Sequence, residues 1–224
     1  AGVMTRRIIL VLAAESTLAG FVFLSPIMPL EFIAIVNSLT GASSFTAAII
    51  VLCGLVAITV AIGRTFCGHI CPVGSLQELA NAIPVKKIDI RQTGYLELIR
   101  LAVFVITIIC AIYLVDLMAY TGLFELFSFA LSAMFVVAIG LVLVSVFVYR
   151  PICRAICPFG VLFSILSEFS LFRLRRNWSC TNCKKCEKAC PAHVAGAGDA
   201  KRECYLCGRC TAACPAGDAI MYHR

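Results

Sequence analysis

Twelve of the fourteen cysteines in this chain of 224 residues fall in four runs, and every run closes on Cys-Pro. No other feature restricts the fold so tightly, because sulfurs this close in sequence must be held around common points. Two runs are short: Cys67, Cys71, Pro72 and Gly74, then Cys153, Cys157, Pro158 and Gly160, each reading Cys-x3-Cys-Pro-x-Gly. On a helix, residues four apart share a face, so each pair offers two sulfurs in one direction, and the proline then ends the helix or frees a backbone position. Two such pairs supply four thiolates, the number one iron–sulfur cluster needs. Reduced structural thiols, another metal, or a pair of dithiols are the alternatives. Single cysteines Cys53 and Cys110, far from the others, read as small apolar core residues.

The other two runs are Cys180, Cys183, Cys186, Cys190-Pro191 and Cys204, Cys207, Cys210, Cys214-Pro215, both C-x2-C-x2-C-x3-C-P. This spacing resembles that of the bacterial two-cluster ferredoxins, in which three close thiolates and one from the other run hold each cube. The resemblance implies two 4Fe-4S clusters, one on Cys180, Cys183, Cys186 and Cys214, the other on Cys204, Cys207, Cys210 and Cys190. From residue 177 to 224 the apolar runs stop, which marks a small α+β ferredoxin-like domain, too small to be held by a hydrophobic core alone. Lys184, Lys185, Lys188, Lys201 and Arg209 form either a solvated basic face or a docking surface for an acidic redox partner.

The rest of the chain is apolar. With 61% hydrophobic residues and a mean hydropathy of +0.98, the sequence offers four stretches, Ile8–Leu24, Ser44–Ile62, Tyr95–Val115 and Ala130–Val148, of the length needed to cross ~30 Å of hydrocarbon. The fold expected is an integral-membrane all-α four-helix bundle over residues 1–176, built as a tandem two-helix repeat (about 8–91 and 95–176). All 19 Lys and Arg fall on one side of this topology, and the segments Ser25–Ser43 and Asp116–Phe129 have none. The positive-inside rule then predicts a multi-pass protein of the cytoplasmic membrane with both termini and the ferredoxin-like domain in the cytoplasm. A cleaved signal peptide is the alternative for the first stretch. The reducing compartment favours metal ligation over disulfides, and the placement of the net charge of +7 argues against nucleic acid.

Twin Cys-x3-Cys-Pro motifs after apolar helices, followed by a two-cluster ferredoxin domain, resemble the NapH-type membrane iron–sulfur proteins, and also the membrane portions of nitrous oxide reductase maturation regulators. The resemblance implies a subunit that relays single electrons between a quinone pool or cytoplasmic ferredoxin and partner subunits of a membrane redox complex. It also implies a third cluster on Cys67, Cys71, Cys153 and Cys157. The alternatives are a maturation factor for a membrane metalloenzyme and a redox sensor. His69, His193 and His223 lie outside the apolar stretches, which removes a bis-histidine haem, and no nucleotide-binding glycine motif is present. His69 is a candidate hydrogen-bond donor to a cluster sulfur or a surface residue.

Three weaker signals remain. Glu15, within the first apolar stretch, is a candidate proton acceptor for quinol oxidation or a packed carboxylic acid. Residues Thr40 to Thr46 resemble a motif for covalent attachment of flavin mononucleotide, with Ser43 as the attachment point and Asn37 as a departure; capping of the next helix by Ser43 or Ser44 explains them with less assumption. Glu31 and Glu125 are solvated acids, or serve proton exit or partner docking.

Overall fold

The computed structural model describes residues 2–22, 35–36, 47–88, 94–113, 115–196, 198–199, 201–216 and 219–223. Four helices coincide with the apolar stretches: α1 (Gly2–Val22), α2 (Ala47–Ile62), α4 (Gly94–Ile112) and α6 (Ala133–Phe147). Two short helices, α3 (Pro72–Asn81) and α7 (Pro158–Leu166), follow the Cys-Pro pairs, and a third, α5 (Leu123–Ser128), precedes α6.

The expectation of a membrane-spanning bundle is corrected by these helices. Among the described residues no helix is long and apolar enough to cross a membrane. At 16 and 15 residues, α2 and α6 rise only about 24 and 22 Å against ~30 Å of hydrocarbon. The longer two are interrupted by charge. Arg6, Arg7 and Glu15 break up α1, and α4 opens with Glu97 and Arg100 before its apolar run from Leu101. Arg100 is buried in an ion pair rather than set at a lipid headgroup.

The two halves pack reciprocally. α3 lies against α1 of its own half and α6 of the other, while α7 lies against α4 of its own half and α2 of the other. Each short helix therefore fastens one half to its counterpart, and the segments that precede them meet between the halves. The C-terminal unit adds a two-stranded antiparallel sheet, β1 (Arg173–Arg176) and β2 (Ile220–His223), with Arg173 opposite His223 and Arg176 opposite Ile220. Between the strands lie α8 (Lys185–Ala189), a 3-10 turn (Lys201–Glu203) and α9 (Arg209–Ala212). This unit sits on the helices through a shared apolar core in which Tyr205, Val194 and Ala192 pack with Leu55, Tyr149, Phe159 and Phe163.

Candidate iron–sulfur centres

Cys67 and Cys153 lie within single π-helical turns, Phe66–Ile70 and Ile152–Ile156. Each turn closes on an amide five residues on, Cys71 N donating to Phe66 O at 3.0 Å and Cys157 N to Ile152 O at 2.8 Å. Proline accounts for the exit. The residue before a proline is driven out of the helical region, and Cys71 and Cys157 take ψ of 119° and 121°. Pro72 and Pro158 then open α3 and α7 at the first helical position, where no amide hydrogen is needed. Glycine completes the motif: a Cβ at Gly74 would collide with the carbonyl oxygen of Cys67, and one at Gly160 with that of Cys153. The Cys-x3-Cys-Pro-x-Gly pattern is thus a local device that holds two sulfurs on a widened turn, and such turns recur at functional sites.

Tertiary packing brings the two turns together. Cys67, Cys71 and Cys153 are buried and Cys157 is half-buried. Burial pushes their thiol pKa values up, to about 11 for Cys67 against the opposing pull of Arg64 and Arg150, to about 12 for Cys157, and well above the usual range for Cys71. Cys153 also rises through burial.

Around these sulfurs is a shell of buried charge. Arg64 and Arg150 hold the same place in the two halves, three residues before Cys67 and Cys153, and both are fully buried. Arg150 Nη1 donates to Cys67 O at 2.6 Å and Nη2 to Gly68 O at 2.8 Å, reaching from one half to the other. Its counter-charge is Glu78 on α3, at 3.1 Å. The corresponding position of the second half is Ser164, and there the carboxylate comes from the C-terminal unit: Glu203 pairs with Arg64 at 2.6 Å, Arg100 at 2.9 Å and Arg154 at 3.9 Å, and accepts from Ser164 Oγ at 3.2 Å. Arg209 of α9 pairs with Glu78. The ring of Tyr205 lies between the two equivalent arginines, 4.7 Å from Arg64 Cζ and 4.6 Å from Arg150 Cζ, and its hydroxyl donates to Glu203 at 3.1 Å.

Gln77, which the sequence reading passed over, touches the sulfurs directly. It is fully buried, its Nε2 donates to Cys153 Sγ at 3.1 Å, and its Oε1 accepts from Ile152 N at 2.9 Å. The available signal was a polar pair, Gln77 and Glu78, on the helix just after a Cys-Pro pair.

In the C-terminal unit Cys180, Cys183, Cys186 and Cys214 line one small cavity, and Cys190, Cys204, Cys207 and Cys210 line another. The four-cysteine groupings inferred from ferredoxin resemblance are therefore adjacent in space, fourth cysteine included. Cys183 is exposed, whereas Cys186 and Cys210 are buried. No three His, Cys, Asp or Glu side chains among the described residues converge on a single metal ion. The donors do suit a cluster, which takes one thiolate at each of four irons. Beside the twin turns, Arg64 Nε and Nη2 are buried without a hydrogen-bond acceptor among the described residues. Such donors are costly to leave unmade, and thiolates and sulfide would accept from them.

The remaining candidates separate. Glu15 is exposed on α1, while neighbouring Ser16 donates to Ile70 O at 2.6 Å. Ser43, Glu31 and the flavin-like segment up to Thr46 lie outside the described residues. His69 sits within the first π turn but pairs through Nδ1 with Thr65 O at 3.3 Å, not with a sulfur. Glu125 is half-buried, and its Oε2 has no hydrogen-bond partner among the described residues. Cys53 is exposed on α2 and Cys110 half-buried on α4. Of the basic set, Lys184, Lys185 and Lys188 are exposed beside Cys183, whereas Lys201 is engaged with Val194 O and Gly196 O and Arg209 with Glu78.

Residues 44–91 and 130–179, which carry the two π turns, match the family described as "4Fe-4S binding domain". Over these two segments the chain is similar to 4Fe-4S binding proteins, in keeping with its resemblance to the NapH-type iron–sulfur proteins. It is similar to YccM of Escherichia coli strain K12, provisionally named an electron transport protein, with 27% identity over 81% of this chain and 56% of that one. An uncharacterised Methanocaldococcus jannaschii protein is 29% identical over 78% of this chain and 77% of its own length. Protein NirI of Paracoccus denitrificans is 32% identical over 56% of this chain and 21% of its own. The chain spans little more than half the length of the Escherichia coli relative. No solved structure matches the chain significantly. The matched description supports iron–sulfur clusters at these cysteines.

Proposed function

We propose that the chain is a relay of three 4Fe-4S centres, carrying single electrons between a redox protein that docks at Lys184, Lys185 and Lys188 and an acceptor or donor reached through the four cysteines of the π turns. The observation that carries this reading is the seat of one cysteine loop on another. The loop from Cys204 to Cys207 inserts Tyr205 between Arg64 and Arg150, and Cys190 and Cys204 pack in the same apolar core as Cys67 and Cys157. Clusters bound at these cysteines supply one-electron redox chemistry. The protein's own residues do the rest: apolar packing keeps water from Cys67 and Cys153, and the buried ion pairs fix the C-terminal unit against the helices. Exposed Cys183 and its lysines leave one centre open to an acidic partner, whose association falls as salt rises.

The distal partner is a quinone pool or a second redox protein. Location at the cytoplasmic face of the membrane belongs to the same proposal, supported by the exposed apolar faces of α2, α4 and α6, among them Ile50, Ile58, Ile99, Val105, Val136 and Leu143. A second reading, in which the centres report redox state to a bound protein, is favoured by similarity to the regulatory protein NosR of Stutzerimonas stutzeri, 29% identical over 65% of this chain.

Anaerobic iron and acid-labile sulfide analysis with EPR tests the relay. About twelve irons in the wild type, falling to about eight in the Cys67→Ser, Cys153→Ser double variant, is the expected result. Eight in both would remove the third centre. Reduction of all centres by a substoichiometric acidic ferredoxin separates a relay from a sensor, which needs no partner turnover.

A further inference from the structure

We propose that Arg64, Arg150 and Gln77 set the potential of the four-cysteine centre, holding it above the value that its burial alone would give. The inference rests on the reading that Cys67, Cys71, Cys153 and Cys157 hold a cluster. Adding an electron adds one negative charge, and burial in apolar surroundings opposes that charge. Three features of this chain oppose the burial. Arg150 lies across the first turn with both terminal nitrogens on the carbonyls of Cys67 and Gly68. Arg64, its equivalent, keeps two donors, Nε and Nη2, without an acceptor among the described residues. Gln77 places an amide hydrogen on Cys153 Sγ, the kind of contact that raises a cluster potential by stabilising charge on sulfur.

Charge also gathers around the turns: Arg64, Arg100 and Arg154 face Glu203, while Arg150 and Arg209 face Glu78. Screening by solvent is weak here, because Arg64 and Glu203 are both fully enclosed. The two halves also differ: the residue of α7 in the place of Gln77 is Phe163, so the amide donor falls on the sulfur of Cys153, while the sulfur of Cys67 faces the Arg64 guanidinium.

Opposite signs distinguish this role from simple loosening of the site. In an EPR-monitored redox titration of the full protein, Gln77→Leu and Arg150→Gln move the midpoint of the centre lost in the Cys67→Ser, Cys153→Ser protein to more negative values. Glu78→Gln moves it to more positive values, with a reduced-to-oxidised ratio at the wild-type midpoint changed about tenfold, 59 mV for a one-electron couple. Arg150→Lys restores most of the Arg150→Gln shift. Iron content stays at the wild-type level in Gln77→Leu and Glu78→Gln. Shifts of the same sign in Gln77→Leu and Glu78→Gln would overturn the proposal, as would unchanged midpoints or loss of the centre in Gln77→Leu. Full iron retention in the double cysteine variant would instead overturn the underlying assignment of the centre.

Discussion

Replacing Glu203 with glutamine removes the charge that fastens the C-terminal unit to three helical segments at once. Glu203 is fully enclosed and faces Arg64 from the end of α2, Arg100 from α4 and Arg154 from the second π turn. Glutamine retains a partner for the Tyr205 and Ser164 hydroxyls, so packing and volume are nearly conserved and the change isolates charge. Arg64 and Arg100 then sit with no carboxylate within 4 Å among the described residues. Breaking a buried pair by removing one partner costs about 3–5 kcal/mol. For a chain of this size each kcal/mol moves Tm by about 2–4 °C, so a fall of roughly 6–20 °C is expected. Thermal unfolding of the cluster-loaded protein, followed by far-UV circular dichroism, measures the loss. Limited proteolysis should cut first near residue 177 in the variant, where the C-terminal unit comes free. A loss below about 1 kcal/mol, the scale of an exposed pair, would refute the view that this carboxylate ties the two parts together.

Three further outcomes follow from the same contacts. A Cβ at Gly68 would lie 2.8 Å from Tyr205 O, so Gly68→Ala should destabilise by about 1–3 kcal/mol through overpacking, while Gly54→Ala on α2, where a Cβ meets nothing within 4 Å, should be neutral or slightly stabilising in the same denaturant titration. Burial alone would raise the pKa of Glu78, but Arg150 and Arg209 outweigh it and hold it below the usual carboxylate range; its contribution to stability is present above the unfolded-state value and is lost as pH falls through the lower folded value, and Glu78→Gln should flatten that acid limb in stability measured against pH. Charge reversal of Lys184, Lys185 and Lys188 to glutamate should slow reduction by an acidic ferredoxin about tenfold or more at low ionic strength and erase its salt dependence, with no change in iron content.

What the sequence determined alone was everything local to the cysteines. Proline after Cys71 and Cys157 dictates an extended residue and a fresh helix start, and glycine at 74 and 160 admits the carbonyls of Cys67 and Cys153, so each two-sulfur turn is written within a dozen residues. The C-x2-C-x2-C-x3-C-P runs carry the resemblance to two-cluster ferredoxins, and it is that resemblance which implies the two groupings of four. Hydropathy located the long helices but did not establish their role, because α2 and α6 end short of a bilayer and the charge at the start of α4 turns inward to Glu203. Tertiary structure decided the surroundings of the sulfurs. That Gln77 meets Cys153, that Arg150 reaches Cys67, and that Glu203 supplies the carboxylate where the second half has only Ser164 are contacts between residues far apart in the chain. Pairwise spacing carries no trace of them, since burial and charge compensation are settled only when the two halves and the C-terminal unit close around the same point.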